Sequence, residues 1–360
     1  MKIDKVLIFN PFGIGDVLFT TPLIRNLKDS LKPVSITYIC SRRTYPLLKN
    51  NIFLDKVFVF EKDEWRNLAS ESKVKFWKNF FSFLGSIKKN KFDVIFDLSM
   101  NSKYGFFFKI AGIKKRIGFN YRNRGRFLTD KIDLPRGYFD KHVARYCLEL
   151  LGFLGLPAKE YPFDLFLPEV DSSTKDNFCK EHNFHSDTLL IVVCPGSGDS
   201  WRDTAYFKRW PKENFLDLCL RLSHKPSTKI LLLGSEAEKP ICDYIEENMK
   251  KKPLNLCGKI TLDKFCQIIS FCDLVITNDG GPFHIAQALK KKAVVFYGPV
   301  DEKVYGVYPD SSICAVFTGK VDCRPCYESF KFPECKFDKL CLRRITTDSV
   351  FSQIEKIISG

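Results

Sequence analysis

The chain has 360 residues, 45% of them hydrophobic, which is enough for two domains with ordinary cores and argues against disorder. No hydrophobic run approaches the roughly 18 residues of a membrane span, and the first residues lack the pattern of a signal peptide, so we expect a cytoplasmic protein whose 14 cysteines are mostly reduced. The formal net charge of +15 favours an anionic partner, such as a phosphorylated ligand, an acidic lipid surface or nucleic acid, although a solvated lysine-rich surface has the same composition.

The first half of the chain alternates the patterns of short buried strands with those of helices. An amphipathic helix is predicted over Val17–Leu31, because apolar residues recur along one of its faces. Strands that alternate with helices are typical of a parallel sheet covered by helices. The strands predicted in this half are Val6–Phe9, Val34–Ile39, Val57–Phe60 and Val94–Leu98.

The same alternation starts again in the second half. Residues 160–176 contain acids, Pro and Ser without a clear period, so we interpret them as a linker, with a second domain beginning near residue 187. A helix is predicted over 212–222, directly after Pro211. The sequence therefore predicts an α/β protein with two doubly wound domains. The strands predicted in this half are Leu189–Cys194, Ile230–Leu233, Leu274–Thr277 and Ala293–Tyr297.

The stretch NPFGIGDVLFTTP follows the first predicted strand. Leu18 stands where a dinucleotide-binding loop has its third glycine, and arginines stand where an acid should hold the ribose, so NAD binding is disfavoured. Gly13 and Gly15 allow a tight turn, and Asp16 is expected to stay ionised because a helix N-terminus stabilises negative charge. Asp16 is therefore a candidate general base, with an ordinary helix cap as the alternative.

The stretch VVCPGSGDSWRDTAYFKRWP follows the fifth predicted strand and has the composition of a phosphate cradle. Ser197 and the amides near Gly196 and Gly198 would donate hydrogen bonds, and Lys208 would supply a positive charge. A glycine loop beside a solvated lysine is the alternative interpretation.

The stretch LVITNDGGPFHIAQAL again places a strand, a glycine loop and a helix in succession. Free amides at the start of such a helix can bind an anion. His284 lies one turn into the helix and is a candidate ligand contact, although a lone histidine is more often structural.

Four motifs occur together in the order and spacing of one enzyme family: GIGDVLFTTPLIRNLK, DVIFDLSMNSKYGFFFKIAGIKKRIGFN, CPGSG followed by KRWP, and TNDGGPFHIAQAL followed by FYGP. On these motifs the chain resembles the bacterial lipopolysaccharide heptosyltransferases of glycosyltransferase family 9, from residue 1 to about residue 345. The resemblance implies a GT-B fold with two Rossmann-like domains facing a central cleft. It divides the chain into an acceptor-binding domain at 1–168, a nucleotide-sugar-binding domain at 187–344 and a C-terminal helix at 345–360.

The resemblance also implies an activity and its partners. The enzyme would transfer a heptose or related sugar, with inversion, from a nucleotide donor expected to be ADP-heptose to an anionic lipopolysaccharide inner-core acceptor. The work would take place at the cytoplasmic face of the inner membrane, in peripheral contact with anionic lipid. A non-catalytic nucleotide- or nucleic-acid-binding protein is the alternative from another class, although we expect no nucleic acid partner.

Individual residues match the functional positions of the family. Asp16 matches the catalytic base, and Lys208 matches the residue that neutralises the departing diphosphate. The implied donor-binding residues are Gly196, Ser197, Lys208, Glu236, Glu238, Asp279, Gly280, Gly281, Pro282 and His284, with the two glutamates as alternatives for the ribose contact. The implied acceptor-binding residues are Asn10, Gly13, Gly15, Thr20, Thr21, Lys114, Arg116 and Arg122.

Two charged segments have more than one interpretation. The basic run at 114–126 suits the phosphates and carboxylates of the acceptor, a nucleic acid or solvent, and its place in the acceptor domain favours the acceptor. The aromatic segment at 73–91, with lysines at both ends, suits either an anionic membrane surface or a helix packed on the sheet, and packing is favoured.

Four cysteines near the C-terminus form the pattern C-x2-C-x8-C-x5-C. Thiolates at this spacing suit a structural Zn²⁺ ion or a cluster, while disulfides and reduced thiols are the alternatives. We expect that catalysis requires no cofactor. The four residues are Cys323, Cys326, Cys335 and Cys341.

Overall fold

The computed structural model describes residues 2–61, 64, 67, 70–168, 172–309 and 311–359. It divides into two compact units, Met1–Phe166 and Leu167–Gly360. Among the described residues, no helix is both long enough and apolar enough to cross a membrane.

The first unit is built on a six-stranded, entirely parallel sheet with the strand order β3-β2-β1-β4-β5-β6. The chain moves outward from β1 in one direction and then returns to build the other half beside it. The point of reversal, between β1 and β4, is where open α/β sheets bind ligands at the carboxyl ends of their strands. The strands are β1 Lys5–Asn10, β2 Ser35–Cys40, β3 Lys56–Val59, β4 Val94–Asp97, β5 Lys115–Asn120 and β6 Asp130–Asp133.

The helix predicted over Val17–Leu31 is in fact two helices, so that prediction was wrong in its continuity. Pro22 has no N–H to donate to the carbonyl of Leu18, and the Thr21 hydroxyl donates to that carbonyl instead, at 2.7 Å. The helices of this unit are α1 Ile14–Leu18, α2 Thr21–Ser30, α3 Tyr45–Leu48, α4 Lys73–Asn90, α5 Ser102–Ile110 and α6 Val143–Glu149, followed by a 3₁₀ turn at Leu150–Leu154.

The aromatic segment at 73–91 forms helix α4. Its C-terminal half packs on the core of the first unit, where Ile87 is 3% exposed and Phe83 stacks on Phe107 with ring centroids 5.6 Å apart. The prediction of a packed helix is confirmed for that half. Val74 and Phe81 remain exposed.

The second unit repeats the architecture of the first. Its six parallel strands have the order β12-β11-β10-β7-β8-β9, so the reversal falls between β7 and β10. Trp210 is buried in the core of this unit and stacks on Phe296 at 4.3 Å between ring centroids. The strands are β7 Leu189–Cys194, β8 Thr228–Leu232, β9 Leu254–Asn255, β10 Leu274–Asn278, β11 Ala293–Tyr297 and β12 Cys314–Thr318.

The helices of the second unit cover its sheet. The α-helices are α7 Ser172–Glu181, α8 Lys212–Ser223, α9 Lys239–Glu247, α10 Leu262–Phe271, α11 Gly281–Ala288, α12 Glu302–Tyr305, α13 Leu340–Arg343 and α14 Thr347–Ser359, with 3₁₀ turns at Asp199–Lys208 and Glu236–Glu238. The first residues of α7 lie inside the predicted linker at 160–176. The predicted helix over 212–222 is confirmed as α8, with Pro211 at its N-cap.

Candidate active site

In the first unit, the loop after β1 places Asp16 at the carboxyl edge of the sheet. Gly13 is the N-cap of α1, and its N–H donates to the Asp16 carboxylate at 3.0 Å. The side chain of Asn10, buried at the end of β1, donates to the backbone carbonyl of Asp16 at 3.0 Å and accepts from the N–H of Phe12 at 3.2 Å. Asp16 is half-buried. The turn is therefore built around the aspartate from both sides.

Thr20 and Thr21 support this turn from beneath. The Thr20 hydroxyl donates to the carbonyl of Val17 at 2.7 Å, so the Tyr38 hydroxyl, 2.8 Å away, is the donor in their shared hydrogen bond. Thr20 and Thr21 are 1% and 0% exposed. Their direct contact with an acceptor stays a prediction, and what the structure gives them is a role in shaping the residues around Asp16.

The three basic residues predicted to bind the acceptor do not lie together. Lys114 and Arg116 lie at the amino end of β5, whereas Asp16 follows the carboxyl end of β1 in the same parallel sheet. The Arg116 guanidinium also donates to the backbone carbonyls of Ile113, Lys114 and Phe127. We therefore correct the assignment of Lys114 and Arg116 to the site around Asp16.

Arg122 is the member of this basic run that follows the carboxyl end of β5. It is exposed, its φ is +51°, and its guanidinium lies 5.2 Å from the centroid of the Tyr121 ring. It remains available to an anionic group at this edge of the sheet.

Asp97 is a residue of this edge that the sequence reasoning did not single out. It ends β4, directly beside Phe9 of β1, and is 4% exposed. Its carboxylate accepts from the N–H and the hydroxyl of Ser99 at 3.1 and 2.6 Å. Burial raises its pKa to about 6, against the lowering effect of these two hydrogen bonds. An acid at the end of an apolar strand was the signal available in the sequence.

In the second unit, Lys208 and Asp279 form a buried ion pair. Lys208 Nζ lies 2.7 Å from Asp279 Oδ2, and the two side chains are 6% and 5% exposed. Lys208 ends the 3₁₀ turn after β7, and Asp279 follows β10, so the pair lies at the reversal point of the sheet. The lysine and the D-G-G loop, predicted from separate stretches, are thus in direct contact.

Asn278 fixes the two loops relative to one another, and the sequence reasoning missed it. Its amide donates to the carbonyls of Pro195 and Gly196, each at 2.8 Å, and its side-chain oxygen accepts from the N–H of Trp210 at 2.8 Å. It is fully buried. A polar residue at the end of an otherwise apolar strand was the signal.

Glu238 holds the P-G-S-G loop from the other side. Its carboxylate accepts from the N–H of Gly198 at 2.7 Å and from the N–H and hydroxyl of Ser235 at 2.8 and 3.0 Å. A Cβ at Gly196 would overlap this carboxylate, which is why the loop requires glycine there. Glu238 is buried, whereas Glu236 is exposed. Glu238 therefore braces the loop and Glu236 is the more accessible carboxylate, and the ribose contact of either one stays a prediction.

The remaining predicted donor residues surround the start of α11. Gly280, Gly281 and Pro282 are half-buried, so their backbone is accessible. His284 is 4% exposed and its Nδ1 lies 3.3 Å from the Gln287 amide nitrogen. The Ser197 hydroxyl donates to the carbonyl of Ala205 at 2.8 Å, which leaves its part in donor binding a prediction.

The four C-terminal cysteines line one small cavity in this unit, together with Pro299, which follows β11. In the part of the chain that the structure describes, no group of three or more His, Cys, Asp or Glu side chains is already spaced to hold a metal ion.

Two Rossmann-like units in one chain, each with polar residues gathered at its reversal point, are the architecture of the GT-B fold. The sequence pattern of "Glycosyltransferase family 9 (heptosyltransferase)" matches residues 80–335. The chain belongs to this family, which confirms both the predicted fold class and the prediction of a glycosyltransferase.

Individual relatives are similar to this chain over most or nearly all of its length. The chain is 35% identical to lipooligosaccharide heptosyltransferase 2 of Campylobacter jejuni, over 98% of this chain and 99% of the relative. It is 25% identical to lipopolysaccharide heptosyltransferase 2 of Salmonella typhimurium, over 82% and 83%. Its fold is similar to that of the Escherichia coli ADP-heptose lps heptosyltransferase II, with a TM-score of 0.74, 21% identity and coverage of 99% and 98%. A family 9 glycosyltransferase of Veillonella parvula gives a TM-score of 0.79 at 22% identity, covering 100% and 99%.

Proposed function

We propose that this chain transfers heptose from ADP-heptose to an anionic inner-core acceptor of lipopolysaccharide, with inversion at the anomeric carbon. The observation that carries the proposal is the buried Lys208–Asp279 pair beside two glycine loops. The names of the relatives supply the sugar, the nucleotide and the glycolipid.

On the donor side, the proposed task is to stabilise the charge of a departing diphosphate. Lys208 is held in place by Asp279 and therefore needs little reorganisation when the charge develops. The half-buried backbone at Gly280 and Gly281, which begins α11, supplies amides toward the same anion. When the donor binds, Lys208 would form part of its contacts with the diphosphate, and the Asp279 carboxylate would accept a hydrogen bond from a sugar hydroxyl.

On the acceptor side, the proposed base is Asp16. Its carboxylate takes the proton of the acceptor hydroxyl as the oxygen attacks the anomeric carbon, and the bond from that carbon to the diphosphate oxygen breaks, with both electrons leaving on ADP. The Gly13 N–H occupies one carboxylate oxygen, which fixes the orientation of the group. Because attack and departure occur on opposite faces of the sugar, the configuration inverts.

The nucleotide is assigned to the edge of β8 in the second unit. Glu236 is exposed at the start of the 3₁₀ turn that follows this strand, where a carboxylate can accept from the two ribose hydroxyls. Glu238 is buried and already accepts three hydrogen bonds, from the Gly198 N–H and from the N–H and hydroxyl of Ser235, so we favour the exposed Glu236 for this contact.

The acceptor implies contact with a membrane, and we include that contact in the proposal. A net charge of +15 attracts anionic lipid headgroups. Val74 and Phe81, exposed on α4 at 79% and 60%, lie among lysines and suit shallow insertion at the cytoplasmic face of the inner membrane.

The test is transfer by the full chain. Incubation with ADP-heptose and a heptose-deficient lipopolysaccharide acceptor should release ADP and add one heptose to the glycolipid, whereas a UDP-sugar in place of ADP-heptose should not react. ADP-heptose should also raise the melting temperature, because a ligand that binds the native state stabilises it. A protein that binds the donor and releases no ADP would be a binder and would contradict the proposal.

A further inference from the structure

Residues 319–339 are irregular backbone between β12 and α13, and they carry three of the four clustered cysteines. A structureless segment of this length inside a compact unit needs something to hold it. Hydrogen bonds connect this segment to the loop after β11: the N–H groups of Cys326 and Tyr327 donate to the carbonyl of Pro299, at 2.9 and 3.0 Å. Pro299 follows β11.

The same segment contacts the residues on both sides of Lys208. The Tyr206 hydroxyl donates to Asp338 at 3.3 Å, and Lys339 Nζ lies 3.4 Å from both the carbonyl of Arg209 and the centroid of the Tyr206 ring. Phe207 packs near Phe332, with ring centroids 6.2 Å apart. A group that fixes residues 319–339 in place would therefore also fix the segment that carries Lys208.

A cavity of about 30 Å³ lies at the centre of these contacts, and all four cysteines line it. That volume is close to the volume of one water molecule, so the cavity could hold a single ion and is too small for an organic ligand. The rest of the wall is mostly apolar, with Phe207, Phe332, Pro333, Phe337 and Leu340 among its members. Four sulfurs around a small, mostly apolar space are the surroundings that thiophilic metal ions prefer.

One of the four sulfurs already accepts a hydrogen bond from the backbone. The N–H of Lys339 donates to Cys335 Sγ at 3.3 Å. Lys339 and Arg324 also line the cavity; Lys339 Nζ contacts the Arg209 carbonyl, and Arg324 is paired with Glu302. The four sulfurs are not at ligand spacing in this structure, so the proposed binding includes a rearrangement of these side chains.

We propose that Cys323, Cys326, Cys335 and Cys341 bind one thiophilic metal ion, Zn²⁺ or iron, and that this ion fixes residues 319–339 against the segment that carries Lys208. The proposed ion touches no substrate and acts only by holding the segment that carries Lys208. The proposed function rests on Asp16, Lys208 and Asp279 and not on a metal, so a chain found to bind no metal would contradict this proposal alone.

The experiment measures bound metal in the full chain, purified under reducing conditions without a chelator. Elemental analysis should find about one ion per chain and say whether it is zinc or iron. Cys323→Ser and Cys326→Ser, at exposed and half-buried positions, should each lower the metal content at least about ten-fold. Cys314→Ser is the matched control, because its thiol in β12 lies outside the cavity lining, and it should keep the metal.

A second measurement holds even where a variant does not fold. Removing the metal from the wild-type chain with a chelator should lower its melting temperature, and Zn²⁺ or Fe²⁺ should restore it. A wild-type chain that contains no metal and takes up neither ion would overturn the proposal. So would a disulfide among these four cysteines in the freshly isolated protein, or metal content that survives both serine variants.

Discussion

Replacing Lys208 with Met tests how much the buried ion pair between Lys208 and Asp279 contributes to the free energy of unfolding. At 2.7 Å, the attraction between Lys208 and Asp279 is about 6 kcal/mol at the effective dielectric constant of about 20 that suits protein interiors. Most of this attraction offsets the cost of removing both charges from water. Taking away one partner leaves the other charge buried and uncompensated, which typically costs about 3–5 kcal/mol.

The assay is a double-mutant cycle on the free energy of unfolding. Lys208→Met and Asp279→Asn should each destabilise the second unit by about 3–5 kcal/mol, since each side chain is less than one-tenth exposed. The double variant should be no less stable than either single variant, which requires a coupling energy of at least about 3 kcal/mol, because it contains no orphaned charge. Urea unfolding followed by fluorescence is suitable, with the buried Trp210 as one reporter in this unit.

Activity separates the structural part of the pair from its chemical part. The double variant recovers stability but not the lysine charge, so its rate of sugar transfer should remain as low as that of Lys208→Met. Additive losses, with no coupling between the two positions, would refute the ion pair. Full transfer activity in a stable double variant would refute the role of Lys208 at the diphosphate.

Three further predictions concern neighbouring positions. Asp97→Asn should stabilise the protein by up to about 3 kcal/mol at pH 8, because the pKa of the wild-type carboxylate is raised to about 6 and its buried charge costs stability above that pH. Urea unfolding at a series of pH values should show this gain disappear between pH 6 and pH 4, where the wild-type carboxyl group is protonated in the native state. Gly196→Ala should destabilise by about 1–3 kcal/mol and weaken donor binding, because the new methyl group overlaps the Glu238 carboxylate, whereas Gly152→Ala, with open space around it, should leave thermal unfolding and donor binding unchanged. Glu236→Gln should raise the KM for the donor with little change in melting temperature, and Glu238→Gln should lower the melting temperature as well; equal effects in both assays would contradict the separate roles.

The buried parallel strands were predictable because a strand covered on both faces is apolar along its whole length. The eight predicted strands are confirmed to within about two residues at each end, as with Leu189–Cys194. The edge strand β3, KVFV, was predicted as buried and is largely exposed, so that part of the prediction was wrong. Two strands near or at the opposite edge were not predicted. KRIGFN in β5 and DKID in β6 are charged and partly exposed, so they lack that pattern.

The site was predictable as motifs but not as contacts. Asp16, Lys208 and Asp279 were singled out because glycine loops and helix starts leave local signals in the sequence. Their partners depend on tertiary structure: only the fold reveals that Glu238 reaches back 40 residues to Gly198. Likewise, the basic run at 114–126 could be divided only once β5 was known to place its first lysines at the amino edge of the sheet.

The most direct measurement is the transfer rate of Asp16→Asn with ADP-heptose and a heptose-deficient acceptor. Asparagine keeps an oxygen that can accept from the Gly13 N–H, so the turn should hold and the melting temperature and donor affinity should stay close to wild type. The amide cannot take a proton from the acceptor hydroxyl, and transfer should fall by roughly 10²–10⁴-fold. Transfer at the wild-type rate by this variant would contradict the mechanism.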